Sequence, residues 1–183
     1  MEDGRMQRTG WTWTFFRIFL EETNMVVTAL TACTILYTRS AAVVHFTVGA
    51  VVCSRVVKLM KRCFRQPRPV HPLPGRQKKD FGMPSTHSAV ISYYAVYSLL
   101  AAAFLPTHLS FEQAEWLRVV APLIIVPWAT TIAISRIWLG HHTVPQVLVG
   151  FAHGLVIAPA WFHLWQQYGN TYGSYVERTY MIW

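Results

Sequence analysis

Acidic residues are scarce in this chain of 183 residues: eight Asp and Glu stand against sixteen Lys and Arg, a formal charge of +8. They are Glu2, Asp3, Glu21, Glu22, Asp80, Glu112, Glu115 and Glu177, too scattered for the carboxylate cluster a two-metal phosphatase needs. Cys33, Cys53 and Cys63 form no CxxC pattern, and their odd number fixes neither a disulfide framework nor a compartment. Cys33 and Cys53 lie in or near apolar segments and read as small buried side chains. The N-terminus lacks the clean apolar run and small-residue cleavage pattern of a signal peptide. Zinc-finger spacing, a Gly-rich RNA-binding signature, internal repeats and low-complexity tracts are all missing, which disfavours nucleic acid as a partner.

What is abundant is apolar sequence, at 53% of the chain. Residues 41–57, 87–105, 119–134 and 143–162 approach the roughly 20 residues that cross a bilayer as helix. A shorter run, 25–37, is a tilted or re-entrant piece. Soluble all-helical packing is the alternative, but so many near-contiguous apolar segments leave a small domain little polar surface to meet water. The expected fold is therefore all-α: a polytopic membrane helical bundle of about five transmembrane segments. Residues 1–24 read as an aromatic interfacial segment carrying Trp11, Trp13, Phe15 and Phe16. Residues 25–163 form the membrane domain, and 164–183 an aromatic-rich tail with Trp165, Tyr168, Tyr172, Tyr175, Tyr180 and Trp183. His45 is costly inside such a helix unless it faces protein or water.

Charge is concentrated between the second and third of these segments. Lys58, Lys61, Arg62, Arg65, Arg68, Arg76, Lys78 and Lys79 fall in one connection, opposed only by Asp80. Such a cluster suits anionic headgroups or a phosphate substrate, although a basic run after a membrane helix also serves as a topology signal. Two crossings separate this connection from the turn at 135–142, so both emerge on the same side of the membrane. Glu112 and Glu115 are left on the opposite side.

Chemistry can be read at three places. Lys61 and Arg68 can bind phosphate as a mobile point charge and a guanidinium fork. Met83-Pro84-Ser85-Thr86-His87 opens a helix, where N–H groups near Ser85 and Thr86 attract an anion and His87 stands beside it; a plain cap is the alternative. Arg136 offers a second phosphate clamp. Gln146 lies four residues after His142 on one helical face, where its amide oxygen can accept the Nδ1 proton and leave Nε2 free. Adjacent His141 and His142 are a weak metal signal, because neighbours on a helix diverge by about 100°.

Together these segments resemble the type 2 phosphatidic acid phosphatase (PAP2) superfamily. Its lysine, six residues, Arg-Pro motif is matched by Lys61, Arg68 and Pro69. Its Pro-Ser-x-His motif is matched by Pro84, Ser85, Thr86 and His87, and its Ser-Arg, five residues, histidine motif by Ser135, Arg136 and His142. The superfamily usually has aspartate where this chain has Gln146. The strings Phe64-Arg65-Gln66-Pro67-Arg68-Pro69, Gly82-Met83-Pro84-Ser85 and His142-Thr143-Val144-Pro145-Gln146-Val147 are similar to the dolichyldiphosphatase branch, where glutamine is expected.

The resemblance implies metal-independent and cofactor-free hydrolysis of a lipid diphosphate, dolichyl diphosphate above all. His142 is the expected nucleophile, His87 the acid, Gln146 the orienting group, and Lys61, Arg68, Ser85, Thr86 and Arg136 the phosphate ligands. A broad lipid monophosphate phosphatase and an inactive lipid-phosphate-binding scaffold are the competing readings. The resemblance also implies six core helices, so an N-terminal helix is expected to be absent or the N-terminus incomplete. It implies an endoplasmic reticulum membrane location with the site in the lumen, in contact with membrane lipids and a polyprenyl or other lipid phosphate. The positive-inside rule alone would put the basic connection in the cytosol.

Overall fold

The computed structural model describes residues 18–70, 80–107 and 115–180. The helices are α1 (Thr23–Thr38), α2 (Ala41–Phe64), α3 (Thr86–Phe104), α4 (Leu117–Trp138), α5 (Val144–Leu164) and α6 (Asn170–Tyr180). A π-helical stretch, Trp165–Gly169, joins the last two. Among the described residues four helices are long and apolar enough to cross a membrane, and α1 is a shorter apolar fifth. Outward faces carry Leu36, Val119, Leu123, Ile124 and Val156, all exposed, as expected where the surrounding solvent is hydrocarbon. The chain is thus a multi-pass bundle of helices.

The helix ends follow local chemistry. The Ser40 hydroxyl accepts from the Ala42 N–H and starts α2. Arg39 and Arg65 each close a helix in the left-handed region, at φ 49 and 48, donating N–H to Ile35 O and Lys61 O. Pro106 follows the end of α3, whose last N–H bond is Leu105 to Ala101. α2 runs past residue 57, so Lys58, Lys61 and Arg62 stand on its last turns instead of in a polar connection. Cations are favoured there by the helix dipole. Pro122 and Pro127 are carried within α4, and Pro159 within α5.

α3 is central, with its largest interface against α5 and the next against α4. Small residues allow the α3–α5 approach: a Cβ on Gly154 would strike Ser92 Oγ and the Ala89 carbonyl, and one on Gly150 would strike the Ser85 carbonyl. The core joining α2, α3 and α5 holds Cys53, Val57, Ala89, Tyr93 and Ala158, each fully buried. Tyr93 OH, inside this core, donates to Phe46 O at 2.9 Å. His45 Nε2 lies 3.1 Å from Trp161 O while Trp161 Nε1 donates to His45 O at 2.9 Å, and the two rings stack. This reciprocal pair locks α2 to α5 and accounts for a histidine at that depth. Cys53 is buried as expected, whereas Cys33 is exposed, since it lies on the outward side of α1.

The basic connection and the 135–142 turn do meet at one end of the bundle. Gln146 Nε2 donates to Gln66 Oε1 at 3.1 Å and to Pro67 O at 3.0 Å, and Arg68 Nη1 donates to His141 O at 3.0 Å. At the other end Arg118 donates to Ala102 O, tying the start of α4 to the end of α3. Glu115 lies at that opposite end. Glu112, Arg76, Lys78, Lys79 and most of the aromatic N-terminal segment lie outside the described residues.

Candidate active site

Lys61 and Arg68 come together because α2 ends three residues after Lys61 and the chain folds back across the bundle end. Their side chains are only 7% and 8% exposed. They are paired not with each other's surroundings alone but with one carboxylate, Asp80, whose side chain is 52% exposed and caps them from the solvent side. Lys61 Nζ donates to Asp80 Oδ2 at 2.9 Å and to Phe81 O at 2.9 Å. Arg68 donates Nε to Asp80 Oδ1 at 2.9 Å and Nη2 to Oδ2 at 2.8 Å, a bidentate fork. Partial burial pushes the Asp80 carboxyl up, but the Arg68 and Lys61 hydrogen bonds and charges outweigh it and hold it well below the usual carboxylate range. Asp80 was legible only as the lone acid among many cations; its pairing with these two was not.

His142 sits in the turn before α5, 4% exposed. Its backbone N–H and that of His141 both donate to the Arg136 carbonyl, at 3.1 and 3.0 Å, and Gly140 at φ 72 lets the turn close. Nδ1 lies 3.2 Å from Gln146 Oε1, while Nε2 lies 2.8 Å from Arg68 Nη1. Arg68 can only donate, so Nε2 is the acceptor and Nδ1 carries the proton given to Gln146. Burial, then the nearby Arg68 charge, lowers the His142 pKa to about 3, with the Gln146 bond opposing. The ring is therefore neutral, with its lone pair on the nitrogen that faces the cations.

Gln146 is satisfied at both ends of its amide. Oε1 accepts from His142 and from the Thr143 N–H at 3.3 Å, and Nε2 reaches Gln66 and Pro67. The Thr143 contact is the N-terminal box of α5, so one side chain both caps the helix and orients the imidazole. Gly82 leaves room for it: a Cβ there would lie 2.6 Å from Gln146 Nε2.

Two of the expected phosphate ligands make other contacts in this structure. The Ser85 N–H donates to Gln146 O at 2.9 Å and its hydroxyl accepts from Ser88 Oγ at 2.9 Å, so this fully buried residue joins α3 to α5 and does not face the cavity. Arg136, 1% exposed, turns away from the cations, with Nη2 and Nε on Ser135 Oγ at 3.1 and 3.3 Å and Nη2 also on Leu20 O. Its guanidinium finds a carbonyl at the N-terminal side of the bundle, and only its own carbonyl serves the histidine turn. Thr86 and His87, in the first turn of α3, do line the same cavity of about 640 Å³ as Lys61, Arg68, Asp80 and His142. Among the described residues no three His, Cys, Asp or Glu side chains gather in a group suited to a metal ion.

Comparison with known proteins agrees with this geometry. Residues 40–170 match the family described as the PAP2 superfamily. Dolichyldiphosphatase 1 of Rhinolophus ferrumequinum is 34% identical over 140 residues, covering 73% of this chain and 57% of that protein. Lipid phosphate phosphatase epsilon 2, chloroplastic, of Arabidopsis thaliana is 30% identical over 145 residues, covering 76% and 46%. The chain spans about half the length of these curated relatives. A crystal structure of a transmembrane PAP2 type phosphatidylglycerolphosphate phosphatase from Bacillus subtilis superposes with a TM-score of 0.59 at 23% identity, over 81% of this chain and 71% of that one. At that identity the likeness concerns the fold.

Proposed function

The chain belongs to the PAP2 superfamily, and from that premise we propose that it hydrolyses a lipid phosphate or diphosphate without a metal, specifically a polyprenyl diphosphate such as dolichyl diphosphate. The observation that carries this reading is the row Gln146–His142–Arg68, in which a neutral imidazole held through Nδ1 presents Nε2 to a buried cation.

An entering terminal phosphate takes the Arg68 Nη1–H from Nε2 and so uncovers the lone pair. Asp80 keeps the Nε/Nη2 edge of Arg68, which stays in place, and Lys61 and the first-turn N–H groups of α3 receive the remaining oxygens. Nε2 forms a bond to phosphorus as the bond to the bridging oxygen breaks, and His87 gives that oxygen a proton. Water, losing a proton to His87, then breaks the N–P bond and frees inorganic phosphate. Arg136 enters as the residue that holds the turn through its carbonyl, and Ser85 as the tie between α3 and α5. Asparagine-type amide chemistry at Gln146 orients the ring but does not neutralise the imidazolium that develops, so positioning is its contribution.

The name dolichyldiphosphatase 1 among the curated relatives supports the diphosphate over the monophosphate reading, and an endoplasmic reticulum membrane location with the site facing the lumen belongs to the same proposal. The test is hydrolysis by purified protein in excess chelator, with dolichyl diphosphate and phosphatidate side by side. Phosphate release from the diphosphate, faster than from phosphatidate, is expected. Activity that appears only when a divalent ion is restored would overturn the metal-free reading, and a preference for phosphatidate would overturn the substrate.

A further inference from the structure

The catalytic cavity extends well beyond its phosphate-facing end. From Lys61, Arg68 and His142 its wall continues between α1, α2 and α3 to Val27, Thr31 and Tyr94. The same three residues form the near wall of a second cavity of about 480 Å³, otherwise lined almost wholly by apolar side chains of α1 to α4. The two spaces adjoin at one hydroxyl pair, with Thr31 Oγ1 and Tyr94 OH 3.1 Å apart.

We infer that the second cavity seats the isoprene units that follow the first two in the lipid whose phosphate lies at His142, with the Thr31–Tyr94 pair marking the waist between head and tail. This rests on the lipid-phosphate reading above and adds the place of the chain. Tyr94 follows His87 by seven residues on α3, about 10 Å of helix, and Ala101 in the far cavity follows by fourteen, about 21 Å. An isoprene unit contributes four chain bonds, about 4 to 5 Å extended at the reach per bond of a peptide chain. A two-unit chain therefore ends near the waist, and a chain of five or more units enters the second cavity.

The physics of the seat differs from that of a soluble pocket. A chain leaving the bilayer for this cavity exchanges one hydrocarbon surrounding for another, so burial from water contributes nothing and only fit can discriminate. Filling the space with one more apolar side chain should then matter for long chains alone. Ser98 and Ala121 line the far cavity and do not line the catalytic one.

The experiment uses Ser98→Leu and Ala121→Phe in the full chain, with geranyl diphosphate and an eleven-unit prenyl diphosphate as substrates. Expected is a fall of about tenfold or more in kcat/KM for the long substrate, with the short one within about twofold of the unsubstituted protein. Geranyl turnover shows that each variant is folded. In parallel, the long diphosphate bearing a photoreactive group on its third to fifth units is crosslinked to unsubstituted protein. Adducts at Tyr97, Ser98 or Ala121 are expected, and they disappear in Ala121→Phe. Equal loss on both substrates, no loss on either, or adducts confined to outward-facing Leu123 and Ile124 would overturn the seat. Crosslinks at the expected positions without hydrolysis of any diphosphate would instead overturn the proposed activity and leave the seat standing.

Discussion

Gln146 is the residue at which sequence and structure say different amounts. Its spacing from His142 was enough to expect a bond to Nδ1, and that bond is present at 3.2 Å. The other half of the amide could not be foreseen, because Gln66 and Pro67 are some eighty residues away and reach it only through the tertiary fold. Those contacts explain why an amide serves here: a carboxylate would face two oxygens with no proton to offer. Gln146→Glu, though equal in size and better able to stabilise an imidazolium, should therefore lose activity by about 10 to 1,000-fold, as should Gln146→Ala. Steady-state kcat at saturating substrate measures this, and a Glu variant faster than the parent would show that charge, not the strap to Pro67, governs the position.

His142 carries a second residue-scale prediction. A lowered pKa means that the ring resists protonation, so between about pH 8 and pH 5 it should stay neutral while an ordinary histidine titrates. Ring NMR of histidine-labelled protein, with the signal assigned through His142→Ala, should show no midpoint in that window. A midpoint near 6.5 would contradict the buried, cation-facing placement. Arg136 and Ser85 were legible as motif members, but the bonds from Arg136 to Leu20 O and from the Ser85 N–H to Gln146 O were not, because they depend on how separate stretches of the chain meet.

At the scale of the element, apolar run length located every long helix, while their ends moved by up to two turns. α2 continued through Lys58 and Lys61 because charged residues can finish a helix that apolar residues begin, a possibility that hydropathy does not see. The stretch after Trp161 likewise remains helical through a π turn to Tyr180. What sequence left unspoken was which helices touch. Gly150 and Gly154 answer that for α3, which carries His87, and α5, which carries Gln146 and follows the His142 turn. Gly154→Val should overpack this interface, costing about 1 to 3 kcal/mol, and should lower catalytic activity by shifting α5. Thermal unfolding in detergent is the check, and an unchanged midpoint would mean that the helices are not held at glycine distance.

For the whole molecule, counting crossings was sufficient to place the basic connection and the histidine turn on one side, because the argument needs only parity. Orientation relative to the cell does not follow from parity, and two of the cations that would decide it by charge, Lys61 and Arg68, are held by Asp80 and His142. Accessibility tags beside Val70 and Gly140 should report the same side, taken here to be the lumen, and a tag beside Glu115 the other. Disagreement within the first pair would dismantle the site. A single measurement bears most directly on the central claim that His142 is the nucleophile of a metal-free phosphoryl transfer. Purified protein is incubated in chelator with polyprenyl diphosphate labelled in its terminal phosphate, quenched in alkali, and digested for mapping of phosphohistidine. Label on the peptide containing His142, present in the parent, absent in His142→Ala and retained in His141→Ala, is the predicted result; label that depends on His141 instead, or hydrolysis with no protein-bound phosphate in rapid-quench samples, would contradict it.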